Sequence, residues 1–466
     1  MSIIPNKLLL AFYGDDFTGS TDALEFLSRA GAKTVLFIGP PTSEQLERYQ
    51  GLQAIGVAGR TRSMVPADME KELQPAFKAL KKLGAKHVHY KVCSTFDSSP
   101  VIGSIGRAID IGANIFSSQF IPLMVAAPML GRYCIFGNLF ARMGIGSKEA
   151  IYRLDRHPSM SHHPITPADE SDLRLHLSKQ TSKRIALMDI LQVELPIAEA
   201  GKKLQEIIGD GAEVILFDAL HDAQMEGIGQ LIDNYSSGDD PLFSVGSSGV
   251  EMALGSYWKK QGILQATQTW KNAGKAEPLL VVSGSCSPVT SKQIAWALSQ
   301  GFAEVTLDTA AIADNRNSIS VIENHIAAVV SLIRQGKSVI VHSSLGNDDK
   351  RVEKAKDIFT KKGYDEIMIN QQTSKLFGSA LGRIVRDVVS QTPLKRVVIA
   401  GGDTSSYAAR EMGIEAVEMI APLSPGAPLC KAYAPGSPVD GMEVNFKGGQ
   451  VGTEDYFGIV LNGKYS

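Results

Sequence analysis

The chain reads as an α/β protein of two domains, each a mostly parallel sheet flanked by helices, with the active site expected in the cleft between them. Three observations predict this. Short apolar strand patterns alternate with helical patterns through the first half. Small-residue turns follow successive apolar runs after about Glu277. Between the two parts, residues 262–277 turn polar and lose periodicity, which places a domain boundary there and gives domains of 1–262 and 277–466. A chain of 466 residues is long enough for two or three domains and a large core.

Composition excludes several classes. The chain is 44% hydrophobic and 21% charged, with a net charge of -2, as in ordinary globular proteins. Nothing suggests a nucleic-acid surface. Cys93, Cys134, Cys286 and Cys430 are far apart and form no CxxC pair, which argues against a zinc site or disulfide framework and for a reducing compartment. No stretch approaches the roughly 20 apolar residues of a membrane span. The opening apolar run is too short for a signal peptide. A cytoplasmic protein is expected.

The first element is the strand pattern 8–13, which stops at Gly14. Asp15 and Asp16 follow, then Thr18, Gly19, Ser20, Thr21 and Asp22, and a helical pattern from Ala23. Gly14 and Gly19 allow close backbone approach. Two adjacent carboxylates repel each other, so a polar substrate or a cation is the reason to place them there. A capped helix with a solvated acidic turn is the alternative. Residues 32–38 read as the next strand. A third spans 52–58 and ends at Gly59-Arg60-Thr61-Arg62-Ser63, before a helix over 67–83. Another spans 87–90 and ends at Lys91-Val-Cys-Ser94-Thr95. In a parallel sheet the polar clusters at three of these strand ends share one edge, where open α/β sheets bind ligands. Arg62 can grip a substrate carboxylate bidentately, and Asp15 and Asp16 can accept from sugar hydroxyls.

Residues 123–127 read as a further strand, and 136–156 as a hairpin with a glycine-rich tip. A loop with His157, His162 and His163 follows, then a helix over 170–180. The adjacent His162 and His163 have no carboxylate at a helical ligand spacing, so no metal site is expected. Strands are expected at 214–217 and at 242–245, the latter ending in Gly246-Ser-Ser-Gly249.

The second domain opens with strand 278–282 and the turn Ser283-Gly-Ser285-Cys-Ser287, ahead of a helix over 290–298. Strand 338–341 ends at His342-Ser-Ser-Leu-Gly346. Strand 396–400 ends at Gly401-Gly402-Asp403-Thr404-Ser-Ser406, ahead of a helix over 407–412. The closing region holds Phe446-Lys447-Gly-Gly449-Gln-Val-Gly452. Backbone N–H groups at such turns make an anion site, and four of them with Lys447 nearby indicate a phosphate cradle. Neither GxxxxGK[ST] nor a GxGxxG after a strand is present.

Gly14-Asp-Asp-Phe-Thr-Gly-Ser-Thr-Asp22 resembles the opening signature of the four-carbon acid sugar kinases, and the resemblance covers almost the whole chain. Thr61-Arg-Ser63 stands where that family has Thr-Arg-Ser, and His163-Pro-Ile-Thr-Pro167 matches its His-Pro-x-Thr-Pro loop near the acid sugar. The family's Lys-x-Asp-Ser-Thr-x-Arg-Gly-Asn reads here Lys91-Val-Cys-Ser-Thr-Phe-Asp-Ser-Ser99, so an Asp has become Cys93 and an Arg has become Asp97. Its closing Lys-Ser-Gly-Asn-Phe-Gly reads Lys447-Gly-Gly-Gln-Val-Gly452.

The resemblance implies an ATP- and Mg²⁺-dependent kinase for a hydroxyl of a four-carbon acid sugar or its 3-oxo derivative. It implies a sugar-acid site of Arg62, Ser63, Lys91, Ser94, Thr95 and His163. It implies an ATP site of Ser283, Ser285, Ser287, Gly401, Gly402, Asp403, Thr404, Lys447 and Gly449. Asp16 is the candidate base, with Asp15 positioning the substrate or a metal-bound water, and the reverse order stays open. The Cys93 and Asp97 departures resemble a branch acting on 3-oxo-isoapionate, a branched five-carbon acid. A non-catalytic sensor of sugar acid and nucleotide is the alternative of another class, and a homo-oligomer is left open.

Overall fold

The apolar runs of the first half become eleven strands among the described residues. They are β1 (Leu10–Gly14), β2 (Thr34–Phe37), β3 (Ala54–Ala58), β4 (His87–Lys91), β5 (Ile121–Met124), β6 (Arg132–Ile135), β7 (Asn138–Arg142), β8 (Ile151–Arg153), β9 (Ile185–Met188), β10 (Val214–Phe217) and β11 (Leu242–Gly246). The structure is a computed structural model. It describes residues 8–143, 150–163, 165–236, 240–265, 270, 272–314, 318–346 and 349–464, the Ile367 side chain excepted. The chain divides into two compact units, the first ending before Trp270 and the second starting there. Residues 266–269 and 271, in the polar stretch read as the boundary, lie outside the described residues.

Eight strands of the first unit form one parallel sheet in the order β2-β3-β1-β4-β11-β5-β10-β9. Strands β1, β3, β4, β10 and β11 are buried along their whole length, which is why they read as continuous apolar runs rather than alternating ones. Even the two histidines of β4 are interior: His87 Nε2 bonds Asp233 at 2.9 Å, and His89 Nδ1 bonds Ser244 Oγ at 3.0 Å. β1 lies between β3 and β4, where the winding of the chain reverses, and such a switch point opens a crevice at the carboxyl ends. The helix Phe17–Ala30 begins there because Asp16 caps it, and it ends at Gly31, whose φ of 99° suits the left-handed C-cap.

The region read as one hairpin is a three-stranded antiparallel sheet, β6-β7-β8, because Arg132–Ile135 pairs with Asn138–Arg142 as well. The glycine-rich tip falls on residues 144–149, outside the described residues. Between β6 and β7 the turn is only Phe136 and Gly137, with φ of 48° and 81°. Two positive φ values give the hand that matches strand twist.

The second unit holds β12 (Leu280–Ser283), β13 (Ala303–Thr306), β14 (Val339–His342), β15 (Arg396–Ala400), β16 (Ala416–Ser424), β17 (Ala427–Tyr433) and β18 (Glu443–Lys447). Its parallel part runs β13-β14-β12-β15-β18, and β17 and then β16 continue antiparallel from β18. β12 is flanked by β14 and β15, a second reversal of winding. Leu279, Val281, Ile294, Val398 and Phe457 are fully buried in its core. The closing region, read from its glycines as turns, contains β18, whose Val444 and Phe446 are buried. The helix expected over 407–412 runs instead over Gly402–Glu411. Gly401, at a φ of 123°, makes the whole turn in one residue, and Ser405 Oγ and N both bond its carbonyl. Among the described residues no helix is long and apolar enough to cross a membrane.

Left-handed backbone costs a residue with a Cβ roughly 1–2 kcal/mol, and less for Asn. Phe136 is half exposed. Phe136→Asn is therefore expected to stabilise the first unit by about 1 kcal/mol, read as a rise in the urea midpoint at unchanged slope. A lower midpoint would show that the Phe136 ring contributes more by packing than its backbone costs.

Candidate active site

The carboxyl ends of β1, β3 and β4 bring three of the predicted clusters together. Backbone bonds lace the loops: Asp15 N donates to Lys91 O at 2.8 Å, Gly59 N to Gly14 O at 2.9 Å and Arg62 N to Asp15 O at 3.1 Å. Arg62 grips Asp15 through both sides of its fork, Nε to Oδ2 at 3.0 Å and Nη2 to Oδ1 at 2.8 Å. Nη2 also lies 2.8 Å from Asp16 Oδ1. Asp16 does double duty as helix cap, accepting from Gly19 N and from Thr18 Oγ1, each at 2.8 Å. A Cβ on Gly19 would stand 2.5 Å from Asp16 Oδ1 and 3.1 Å from Lys91 Nζ, so only glycine lets these groups close on the backbone.

Burial pushes the Asp15 carboxyl up, and Arg62 opposes it. Burial alone would draw Arg62 down, but Asp15 and Asp16 outweigh it and hold the guanidinium firmly charged. The expectation that Arg62 grips a substrate carboxylate meets a fork already bonded to Asp15. Its observed partner is a carboxylate of the protein.

Behind this layer lies a second one, of which the sequence reading singled out Lys91 but not Ser248 or Glu251. Lys91 Nζ donates to Val92 O at 2.9 Å and stands 3.7 Å from Asp22 Oδ2. Burial draws Lys91 down, but Asp22 and Asp15 more than offset it. Ser248 donates to Asp22, so β11 also contributes through its Gly-Ser turn. Glu251 is fully buried, neither carboxyl oxygen has a hydrogen-bond partner, and burial pushes it up to about 8. The one available signal was a lone acid early in the apolar helix Gly249–Lys260.

Ser94 and Thr95 are buried in the loop after β4. Cys93 Sγ lies 2.9 Å from Thr95 Oγ1, and burial pushes its thiol up to about 11, so it is neutral. Phe96, at a φ of 57°, is buried against His176. Thr95, Asp97, Ser98, Thr166 and His176, with Phe96, Leu154 and Leu173, line a small cavity, and Asp97 Oδ1 is buried and has no hydrogen-bond partner among the described residues. His163 faces Thr166 on that side, its Nδ1 accepting from Thr166 N at 3.1 Å, and among the described residues it makes no hydrogen bond with the Asp15 cluster. The Ser63 hydroxyl donates to Arg60 O at 3.5 Å. Arg132, on β6, is a further buried cation that the sequence reading passed over.

In the second unit the predicted phosphate turns gather at the ends of the adjacent strands β12, β15 and β18. A Cβ on Gly284 would overlap the Thr404 hydroxyl, and one on Gly449 would meet Ser285 Oγ and Ser287 Cβ at 3.0 Å. Two helices start here, Pro288–Ser299 capped by Ser287 and Gly402–Glu411, with Asp403 and Thr404 in the first turn of the second. Converging helix starts and small residues suit an anion. Two predicted groups do not face outward. Ser283 is buried and accepts from Ser285 N at 3.4 Å. Lys447 is buried, its ammonium bonded to Thr290 Oγ1 at 2.9 Å and Gly448 O at 2.8 Å, and desolvation lowers it to about 7. It shapes the glycine loop from behind.

Residues 10–254 match the family model of a sugar-binding N-terminal domain, and residues 280–457 that of a nucleotide-binding C-terminal domain. The chain belongs to the four-carbon acid sugar kinase family. A member from Paraburkholderia graminis, a 3-oxo-isoapionate kinase, is 42% identical over 461 residues, covering 99% of this chain and 95% of its own. A 3-oxo-tetronate kinase of Salmonella typhimurium is 27% identical, with 97% and 98% covered. Two solved structures share the fold. One is from Salmonella typhimurium LT2, with a TM-score of 0.74, 24% identity and 97% and 98% coverage. The other is HI1011 of Haemophilus influenzae, with a TM-score of 0.66, 22% identity and 96% and 98% coverage.

Glu251 provides a test of the buried layer. Its ordinary value is 4.5 and its folded value about 8, so the folded chain keeps a proton that the unfolded chain releases. Wild-type stability from this group therefore falls as pH rises through that window. Glu251→Gln removes the effect. The gain in melting temperature over wild type is expected to grow from pH 5 to pH 8 and then level off. A pH-independent difference would show that Glu251 is ionised in the folded protein.

Proposed function

We propose that the chain transfers the γ-phosphoryl group of ATP to a hydroxyl of a small 3-oxo sugar acid, with branched 3-oxo-isoapionate as the favoured substrate. The observation that carries the kinase reading is the Asp15–Arg62–Asp16 cluster, with Lys91 beside it, at the switch point of the sugar-binding unit. The full-length likeness to a 3-oxo-isoapionate kinase supports the substrate. So does Asp97, whose unpartnered Oδ1 lies at a small cavity where the family pattern has a long arginine.

Phosphoryl transfer needs an activated acceptor, an in-line phosphate and positive charge on the transferring oxygens. Both oxygens of Asp15 are held by Arg62, whereas Asp16 Oδ2 is held by the Thr18 hydroxyl, which can rotate away. Asp16 is the base in this reading, and Asp15 fixes Arg62. Lys91 supplies positive charge beside Gly19. The neutral cradle of Ser285, Ser287, Gly401, Gly402, Thr404 and Gly449 takes the nucleotide phosphates, supported by Ser283 and Lys447. Among the described residues no three His, Cys, Asp or Glu side chains gather as a metal cage. That suits Mg²⁺, which keeps several waters and binds through substrate phosphates, with Asp403 the carboxylate at the cradle. When bound, Mg²⁺ neutralises charge on those phosphates.

The first test is ADP release on mixing the protein with MgATP and a panel of 3-oxo-isoapionate, 3-oxo-tetronates, threonate and erythronate. The highest kcat/KM is expected with the branched acid. Binding of both ligands without ADP release would identify a sensor instead of a kinase.

The second test is Asp16→Asn. Asn caps a helix about as well as Asp, so the melting temperature is expected to stay close to wild type. Loss of the base is expected to lower kcat by roughly 10²–10⁴-fold, with ADP affinity unchanged. Near wild-type kcat, with Asp15→Asn inactive, would move the base to Asp15.

A further inference from the structure

We propose that Arg132 is the residue that binds the substrate carboxylate. This rests on the sugar-acid reading above and assigns a specific contact within it. The argument begins with Arg62, whose Nε and Nη2 are both committed to Asp15 while Nη2 also meets Asp16. Lys91 is shared among Asp22, Asp15 and a backbone carbonyl. Each of these cations already faces an acid of the protein.

Arg132 differs. It is 4% exposed, yet among the described residues no carboxylate stands within ion-pair distance of it. One nitrogen, Nη1, is used for structure, donating to Leu130 O at 3.1 Å, Gly131 O at 3.3 Å and Arg142 O at 3.0 Å. Those bonds fix the guanidinium in place. Its Nε is buried and has no hydrogen-bond partner among the described residues. A buried, oriented and unpaired N–H of a cation is costly unless an anion arrives to meet it.

The position is also right. Arg132 starts β6, eight residues beyond the end of β5, and β5 points its carboxyl end to the same edge as β1, β3 and β4. The groups whose charge bears on Arg132 are Cys93, Asp97 and Asp22, and Cys93 also bears on Arg62. Cys93 thus stands in reach of both arginines. Its thiol is neutral, so position 93 gives Arg132 no counter-charge, and Asp97 and Asp22 act on it only from beyond ion-pair distance. The family pattern has Asp at position 93 and Arg at position 97. Here the acid is gone and the arginine has become Asp97.

Calorimetric binding of isoapionate, 3-oxo-isoapionate and threonate, each compared with its primary amide where stable, tests this on the full chain without turnover. Wild type is expected to prefer acid over amide. Arg132→Gln is expected to weaken the acid by roughly tenfold to 100-fold, to abolish the preference over the amide and to leave ADP affinity unchanged. Because Nη1 also supports the β6 turn, circular dichroism and melting temperature accompany that variant. Cys93→Asp leaves those carbonyl bonds intact and offers Arg132 an internal acid, so it is expected to weaken the acid and spare the amide. The proposal is overturned if folded Arg132→Gln retains the preference, if acid and amide weaken equally, or if Arg62→Gln alone abolishes the preference. If Arg132→Gln fails to fold, undiminished acid binding by Cys93→Asp overturns it. Acid binding that depends on Arg132 without any ADP release would sustain the carboxylate contact and remove the kinase reading. Wild type that binds none of the acids would remove both.

Discussion

One guanidinium held between two adjacent carboxylates is the constraint on which the sugar-binding unit depends. Asp15 and Asp16 are nearly inaccessible to water, and side by side they would repel each other strongly. Arg62 makes them compatible by bonding both oxygens of one and one oxygen of the other. Removing one partner of such a buried set leaves an uncompensated charge, which is far more damaging than the net worth of the set suggests. The same arginine is tied to Asp15 through its backbone N–H. The loops after β1 and β3 are therefore one structural object, and the helix Phe17–Ala30 hangs from it through the Asp16 cap.

The second layer follows from the first. Lys91 sits at the end of β4, beside Asp16 across Gly19, and its charge draws Asp22 into place. Asp22 in turn receives the Ser248 hydroxyl. Glu251, further back, has no comparable partner and takes up a proton instead, as a buried acid without a hydrogen bond must. The charged groups of this unit thus grade from fully paired at the crevice to neutralised in depth.

The nucleotide-binding unit works by a different principle. Its strand ends present hydroxyls, glycine backbone and helix starts, and Lys447, at the end of β18, is turned inward beneath the loop. A polyphosphate that brings its own divalent cation needs directional N–H and O–H donors more than fixed charge. A small monoanionic acid offers far less to hold, and the unit that takes it is correspondingly rich in charge.

The order of apolar runs by itself determined the parallel sheets, since strands buried on both faces must be continuously apolar. It also determined that Asp15, Arg62 and Lys91 share one edge, because consecutive parallel strands end on the same side. The glycine turns after β12 and β15 were legible for the same reason. Only the tertiary structure decided which charges pair. Arg62 and Arg132 are both arginines at strand boundaries in the sequence. One is consumed by Asp15 and the other is left with an open nitrogen, a difference that arises because β6 folds back on β7 through a two-residue turn. Lys447 looked like a phosphate ligand from its neighbours, but the closing strand β18 lies inside the sheet and turns its side chain into the core. Ser248 and Asp22 were unreadable as a pair because more than two hundred residues separate them. Local sequence carries the periodicity that sets strands and helices, whereas the pairing of buried charge is a non-local energy that only the assembled sheet resolves.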